Sequence, residues 1–121
     1  MEKSAVGRAG EVAAVQHLVT RGYTIVERNW RCSLGEVDII AQTPGAEPVL
    51  VFCEVKCRTG LGYGDPLEAI TWRKLARLRQ LALTWLGEQP GWVPRYRVDA
   101  IGVLLPRSGR PQVTHVEGVG A

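Results

Sequence analysis

Two short stretches carry charged groups where the neighbouring residues are those of buried strands. In Cys53-Glu54-Val55-Lys56-Cys57-Arg58 successive side chains alternate between faces, so Cys53, Val55 and Cys57 share one face and suit a core. Glu54, Lys56 and Arg58 share the other, directly after the apolar run Val49-Leu50-Val51-Phe52. Burying a carboxylate, an amine and a guanidinium is costly unless they pair or bind an ion. Upstream, Gly35-Glu36-Val37-Asp38-Ile39-Ile40 places Glu36 and Asp38 on one face of a second strand. If the two strands form a hairpin with Asp38 across from Glu54, two carboxylates converge beside Lys56. Hard oxygen ligands, few of them from protein, are what Mg²⁺ (or Mn²⁺) takes when water and a substrate phosphate complete its shell. Such a metal lowers the pKa of bound water and stabilises charge developing on phosphorus, and Lys56 is placed to orient the water or neutralise the phosphate. The plainer reading of the same residues is a salt-bridge cluster on a solvated sheet face.

Further residues bear on this site. Glu11 lies at the edge of the apolar stripe of a first helix and is a third candidate metal ligand, or else a partner of Arg8 three residues before it. Glu36 either joins the site or meets a neighbouring arginine. Arg58 can reach a phosphate near the metal. Arg73, Lys74 and Arg77 form a basic stripe that reads equally as a phosphate-contacting face or as the solvated side of an amphipathic helix. The Gly60–Gly64 loop either lets DNA approach closely or is a plain connection. Asp99, with Arg95 and Arg97, reads as a structural ion pair. His17 and His115 stand isolated, and neither is expected to act as catalyst or ligand. Trp85 is expected in the core, and Trp30 and Trp92 in packing or at an interface.

The elements that would position these groups follow from local signals. Ser4 caps a helix that runs to about Arg21, with Gly22 after its last turn and Val12, Val15, Leu18 and Val19 as its apolar stripe. Strands are predicted over Tyr23–Asn29, Glu36–Gln42 and Val49–Arg58, with a turn at Arg31–Gly35 and a breaker at Thr43–Pro48. Asp65-Pro66-Leu67-Glu68 reads as the start of a second helix, which continues to about Leu86 with Leu67, Ile70, Leu78, Leu81, Ala82 and Trp85 inside. Arg95–Leu104 is a late strand, Gln112–Val116 a short last one, and Glu117–Ala121 a loose end. The expectation is one α/β domain, a mixed sheet flanked by two helices.

Composition sets bounds. With 121 residues the chain can bury a core unaided, and its apolar runs are too short to span a bilayer. The N-terminus leads into a helix rather than a signal peptide, so a cytoplasmic location is expected. Three cysteines, Cys32, Cys53 and Cys57, argue against a disulfide framework and complete no zinc set. The net charge is +3, and arginine supplies most of the basic residues, which suits phosphate without demanding it.

The blocks GRAGEVAA, GYTIVERNWR, GEVDIIA, VFCEVKCRTG, GDPLEAI and RYRVDAIGV together resemble the YraN family of small bacterial proteins, over about Gly7 to Val103. The order of elements is similar to that of archaeal Holliday-junction resolvases and the PD-(D/E)XK superfamily. That resemblance implies a restriction-endonuclease-like α-β-β-β-α-β core. It carries the superfamily motif onto Asp38 and Glu54-Val55-Lys56, with Val37 in place of the usual proline, and the resolvases' helical acidic residue onto Glu11. The expectation is a metal-dependent endonuclease acting on DNA, on branched or single-stranded intermediates of recombination or repair, working as a homodimer. The alternatives are a non-catalytic nucleic-acid-binding module on the same fold, and an interaction adaptor with a vestigial site.

Overall fold

A computed structural model describes residues 3–60, 65–91 and 95–119. Helix α1 (Ala5–Thr20) is followed by strands β1 (Thr24–Cys32), β2 (Gly35–Gln42) and β3 (Leu50–Arg58). A 3₁₀ turn (Pro66–Ala69), helix α2 (Trp72–Gly87) and strands β4 (Tyr96–Leu104) and β5 (Gln112–Val116) complete the described elements. The five strands form one mixed sheet in sequential order. β1, β2 and β3 pair antiparallel, β4 lies parallel to β3, and β5 is antiparallel to β4. A parallel β3–β4 pair requires a crossover, and α2 supplies it.

The helices cover opposite faces. Ala13, Ala14 and Leu18 of α1 pack with Ile39, Ala41, Val51, Cys53, Ile101 and Val103. Leu78, Leu81, Ala82 and Trp85 of α2 pack with Val37, Ile40, Phe52 and Val98. A sheet covered on both faces needs strands apolar on both faces, which explains why β3 and β4 do not alternate cleanly.

Local signals and structure part at several points. Ser4 caps α1 as expected, its hydroxyl accepting from Gly7 N at 3.0 Å. The buried face of α1, however, is Gly10, Glu11, Ala13, Ala14 and Leu18, while Val12 and Val19 are exposed. Close approach decides this: a Cβ on Gly10 would lie 2.5 Å from Cys57 Cβ, so no side chain fits at that point under the helix. β1 runs on to Cys32, leaving Ser33-Leu34 as the hairpin turn where a five-residue turn is predicted. The second helix does not start at Asp65. Asp65 Oδ1 accepts from Leu67 N, but this caps only the 3₁₀ turn, and Thr71 caps α2. Leu67 and Ile70 therefore lie outside the α2 stripe, and Leu67 instead packs on Gly102. The chain end is tied down as far as Val119: Val119 N donates to Val98 O at 2.9 Å, and Gly118 N to Asp99 Oδ1 at 3.0 Å. Trp92, most of the glycine-rich loop (residues 61–64) and residues 120–121 lie outside the described residues.

Candidate functional site

The site forms where β2 and β3 part. Their pairing ends at Ile39–Cys53, and the next step in register sets Asp38 against Glu54. Asp38 Oδ2 instead accepts the free Val55 N–H at 2.8 Å, which closes the fork. The register of β1 on β2 shifts between Ile25 and Glu27. Asn29 adopts a left-handed conformation, φ 54°, and lies opposite Asp38, between the pairs Arg28–Ile39 and Trp30–Val37. Strand alternation then slips in both strands. Glu27 and Trp30 meet the α2 side, while Arg28 and Asn29 both reach Glu11 on α1. Val37 and Ile40 face α2, whereas Asp38 and Ile39 both face α1.

The result is a cleft of about 320 Å³ lined by Lys3, Glu11, Glu36, Asp38, Glu54 and Lys56, with backbone and small side chains between them. Lys3, just before α1, is at its centre. Its Nζ lies 3.0 Å from Glu11 Oε2, 2.9 Å from Glu36 Oε1 and 2.5 Å from Asp38 Oδ1. Lys56 Nζ pairs with Glu54 Oε1 at 3.2 Å. Arg31 Nε holds the other oxygen of Glu36 at 2.6 Å. Glu11 is 2 % exposed, and its Oε1 accepts from Asn29 Nδ2 at 2.8 Å and from Arg28 Nε and Nη2 at 3.3 Å.

The electrostatics follow the crowding. Burial, then the charge of Glu54, pushes the Asp38 carboxyl up to about 6, although Lys3 and the Val55 N–H pull the other way. Burial opposes the Lys3 charge, but hydrogen bonds to Asp38 and Glu36 outweigh it and hold Lys3 above the ordinary lysine range. Burial likewise opposes the Glu36 charge, and Lys3 overcomes it, so Glu36 titrates below its usual value. The two acids differ because Glu36 is shared between two cations while Asp38 is deeper and faces Glu54.

Asp38, Glu54, Lys56 and Glu11, expected at the centre, thus border one cleft, and Glu36, for which two readings stood open, both lines the cleft and pairs with Arg31. Arg8 does not pair with Glu11; its Nη1 donates to Lys3 O. Arg58, Arg73, Lys74 and Arg77 are not brought to the cleft. Arg58 Nε is enclosed with no hydrogen-bond partner among the described residues. Lys74 Nζ donates to Ala69 O, at the end of the 3₁₀ turn. The residues that sequence patterns miss are Lys3, Arg28 and Asn29. Asn29 carries one legible signal, since asparagine is rare inside strands and is among the non-glycine residues most enriched in the left-handed region.

The donor set suits a hard divalent cation. Three carboxylates already surround one ammonium, a stand-in cation, at 2.5–3.0 Å. Among the described residues no three His, Cys, Asp or Glu side chains are grouped to hold a metal as they stand. Mg²⁺–oxygen distances are about 2.1 Å, so the carboxylates would draw in by roughly 0.5–1 Å once the ammonium left.

A second polar cluster lies apart from the cleft. Asp99, wholly buried, accepts from Arg97 Nε at 2.9 Å and Nη2 at 3.1 Å and bonds His115 Nε2 at 2.7 Å. Arg97, rather than Arg95, makes the expected ion pair. His17 and His115 are not isolated: their nitrogens are 3.2 Å apart, which ties α1 to β5. Cys53 is buried and all three cysteines are free thiols. Among the described residues no helix is long and apolar enough to cross a membrane.

Residues 10–103 match the family model described as "Uncharacterised protein family UPF0102". A UPF0102 protein of Clavibacter michiganensis subsp. michiganensis is 52 % identical over 108 residues, 89 % of each chain. One of a Nocardioides species is 46 % identical over 118 residues, covering 98 % of this chain and 93 % of the relative. One of Mycobacterium ulcerans is 49 % identical over 116 residues, 95 % and 93 % of the two chains.

Proposed function

We propose, for a chain that belongs to the uncharacterised protein family UPF0102, that it is a metal-dependent nuclease of the restriction-endonuclease-like fold acting on DNA. The observation that carries this reading is the convergence of Glu11, Glu36 and Asp38 oxygens on one cation position beside the Glu54–Lys56 pair. The order of a helix, three antiparallel strands, a crossover helix and a parallel fourth strand supports the fold assignment. Asp38 and Glu54, at the fork, with Glu11 from α1, would hold Mg²⁺ or Mn²⁺, and Glu36 would flank it. The metal, when bound, supplies an activated water and neutralises charge on the phosphoryl group.

The chain's own residues do the rest. Lys56 is half-buried in the cleft wall, where its ammonium can leave Glu54 and contact a phosphate oxygen. The Val55 N–H fixes one Asp38 oxygen, leaving the other directed at the cation position. So small a domain has little surface for reading bases, so structure-selective cutting of branched or single-stranded DNA is favoured over sequence-specific cutting. Symmetric cutting of two strands would require a homodimer.

The test is cleavage of labelled four-way junction, flap, single strand and duplex by wild type and Glu54→Ala, with Mg²⁺ or Mn²⁺ and then with EDTA. Cutting that requires both the metal and Glu54 is expected. Folded wild type that cuts none of the four with either metal overturns the proposal. DNA retained without cutting would then identify a binding module.

A further inference from the structure

The cleft presents Glu11 in a particular way. Only Oε2 faces the cation position, because Oε1 is taken by Asn29 Nδ2 at 2.8 Å and by Arg28 at 3.3 Å. A carboxylate on a helix can rotate about its last bond and swing on three side-chain torsions. Arg8, one turn before Glu11 on α1, is turned to Lys3 O rather than to Glu11. The restraint on Oε1 comes from β1, and the share of Asn29 depends on its left-handed backbone: with regular alternation Arg28 and Asn29 would point to opposite faces. Residue 29 lies opposite Asp38, so the slip that delivers the amide to Glu11 is the one that turns Asp38 toward α1.

We infer that Asn29 is a positioning residue of the cation site: its side-chain amide holds Glu11 Oε1 so that Oε2 is fixed toward the cation. Arg28 assists from a greater distance and with a partly exposed side chain. The inference rests on the cation-site reading above. Groups that orient a ligating carboxylate typically contribute about 10- to 100-fold in metal affinity. The shorter of the two contacts, to a residue 2 % exposed, belongs at the lower end of that range, about tenfold.

Asn29→Gly removes the amide but keeps the left-handed backbone that glycine adopts freely, and position 29 is exposed, so folding is retained. The experiment is direct Mn²⁺ binding, by the loss of the free-ion electron paramagnetic resonance signal, to wild type, Asn29→Gly, Glu11→Ala and the double variant. Expected is an affinity about tenfold weaker in Asn29→Gly than in wild type. Asn29→Gly should have no further effect once Glu11 is Ala, because a residue acting through Glu11 has nothing left to position. Equal affinity in wild type and Asn29→Gly, or the same loss in both backgrounds, overturns the inference and leaves the cation site intact. Wild type that binds no Mn²⁺ overturns the site reading and the inference together.

Discussion

Replacing Lys3 by methionine removes the cation that three carboxylates share while keeping most of the length and the apolar stem of the side chain. Removing one partner from a buried ionic cluster costs about 3–5 kcal/mol where the remaining charges are left unpaired; here Arg28 still reaches Glu11 and Arg31 still holds Glu36, so only part of that is lost. Glu11 is 2 % exposed and Asp38 11 %, but the Lys3 and Glu36 side chains keep 23 % and 25 % of their exposure, so solvent screens part of the loss. Discounted for that screening, the cost is about 2–3 kcal/mol in metal-free protein. For a domain of this size that lowers the melting temperature by roughly 10 °C. The same energy works in reverse on a metal, which in wild type must first displace the ammonium. Lys3→Met should therefore bind Mn²⁺ roughly 30- to 150-fold more tightly, at 1.4 kcal/mol per factor of ten. Calorimetric melting in EDTA and in Mn²⁺, with Mn²⁺ titration at constant pH, measures both effects. In saturating Mn²⁺ the variant should regain the stability it lost. A variant that melts within about 2 °C of wild type in EDTA and binds Mn²⁺ no better refutes the idea that Lys3 occupies the cation position.

Three further outcomes follow from the packing and charges. Asp38 titrates near 6 in the fold against an ordinary 3.8, so the folded state holds its proton more tightly. Its contribution to stability is then full below about pH 3.8, and roughly 3 kcal/mol is lost as the pH rises to about 6. Glu36, lowered from 4.5, acts oppositely and loses its contribution as the pH falls below that value. Urea unfolding of metal-free protein should accordingly weaken between pH 4.5 and 6, and Asp38→Asn should abolish that decline and be the more stable at pH 7. Gly10→Ala places a methyl 2.5 Å from Cys57 Cβ and 2.7 Å from its Sγ, and overpacking of this kind costs about 1–3 kcal/mol. Cys57→Ala, which removes only the Sγ clash, should restore part of that loss in the same urea assay, and full restoration would mean the helix can move away. Asp99→Ala leaves Arg97 and His115 without their buried carboxylate and should cost about 3–5 kcal/mol, read from the urea midpoint; a cost below about 1 kcal/mol would show the network to be ornamental.

The centre of the candidate site was legible because it is written in local rules. Alternation in Cys53–Arg58 puts Glu54 and Lys56 into a strand that otherwise carries buried residues, Glu36 and Asp38 stand in the strand before it, and a hairpin brings the two together. Ser4, Gly22 and the Pro48 breaker mark element ends by the same local chemistry. The second helix shows where local rules mislead. Asp65-Pro66 is a sound capping sequence, yet it caps one 3₁₀ turn, because Leu67 is claimed by the bare surface of Gly102 on β4.

What the sequence by itself determined is the element order, the apolar strands and which acids stand on them, since periodicity and capping act within a few residues. Only the tertiary structure decided what surrounds those acids. The α1 face is chosen by close packing of Gly10 on Cys57 rather than by hydrophobicity, and this buries Glu11 and exposes Val12. Lys3 enters the cleft although 35 residues separate it from Asp38, and Arg28 reaches Glu11 across 17. No pattern in sequence encodes such contacts, because the energy that selects them, carboxylates sharing a cation inside a half-buried fork, exists only once two strands and a helix have met.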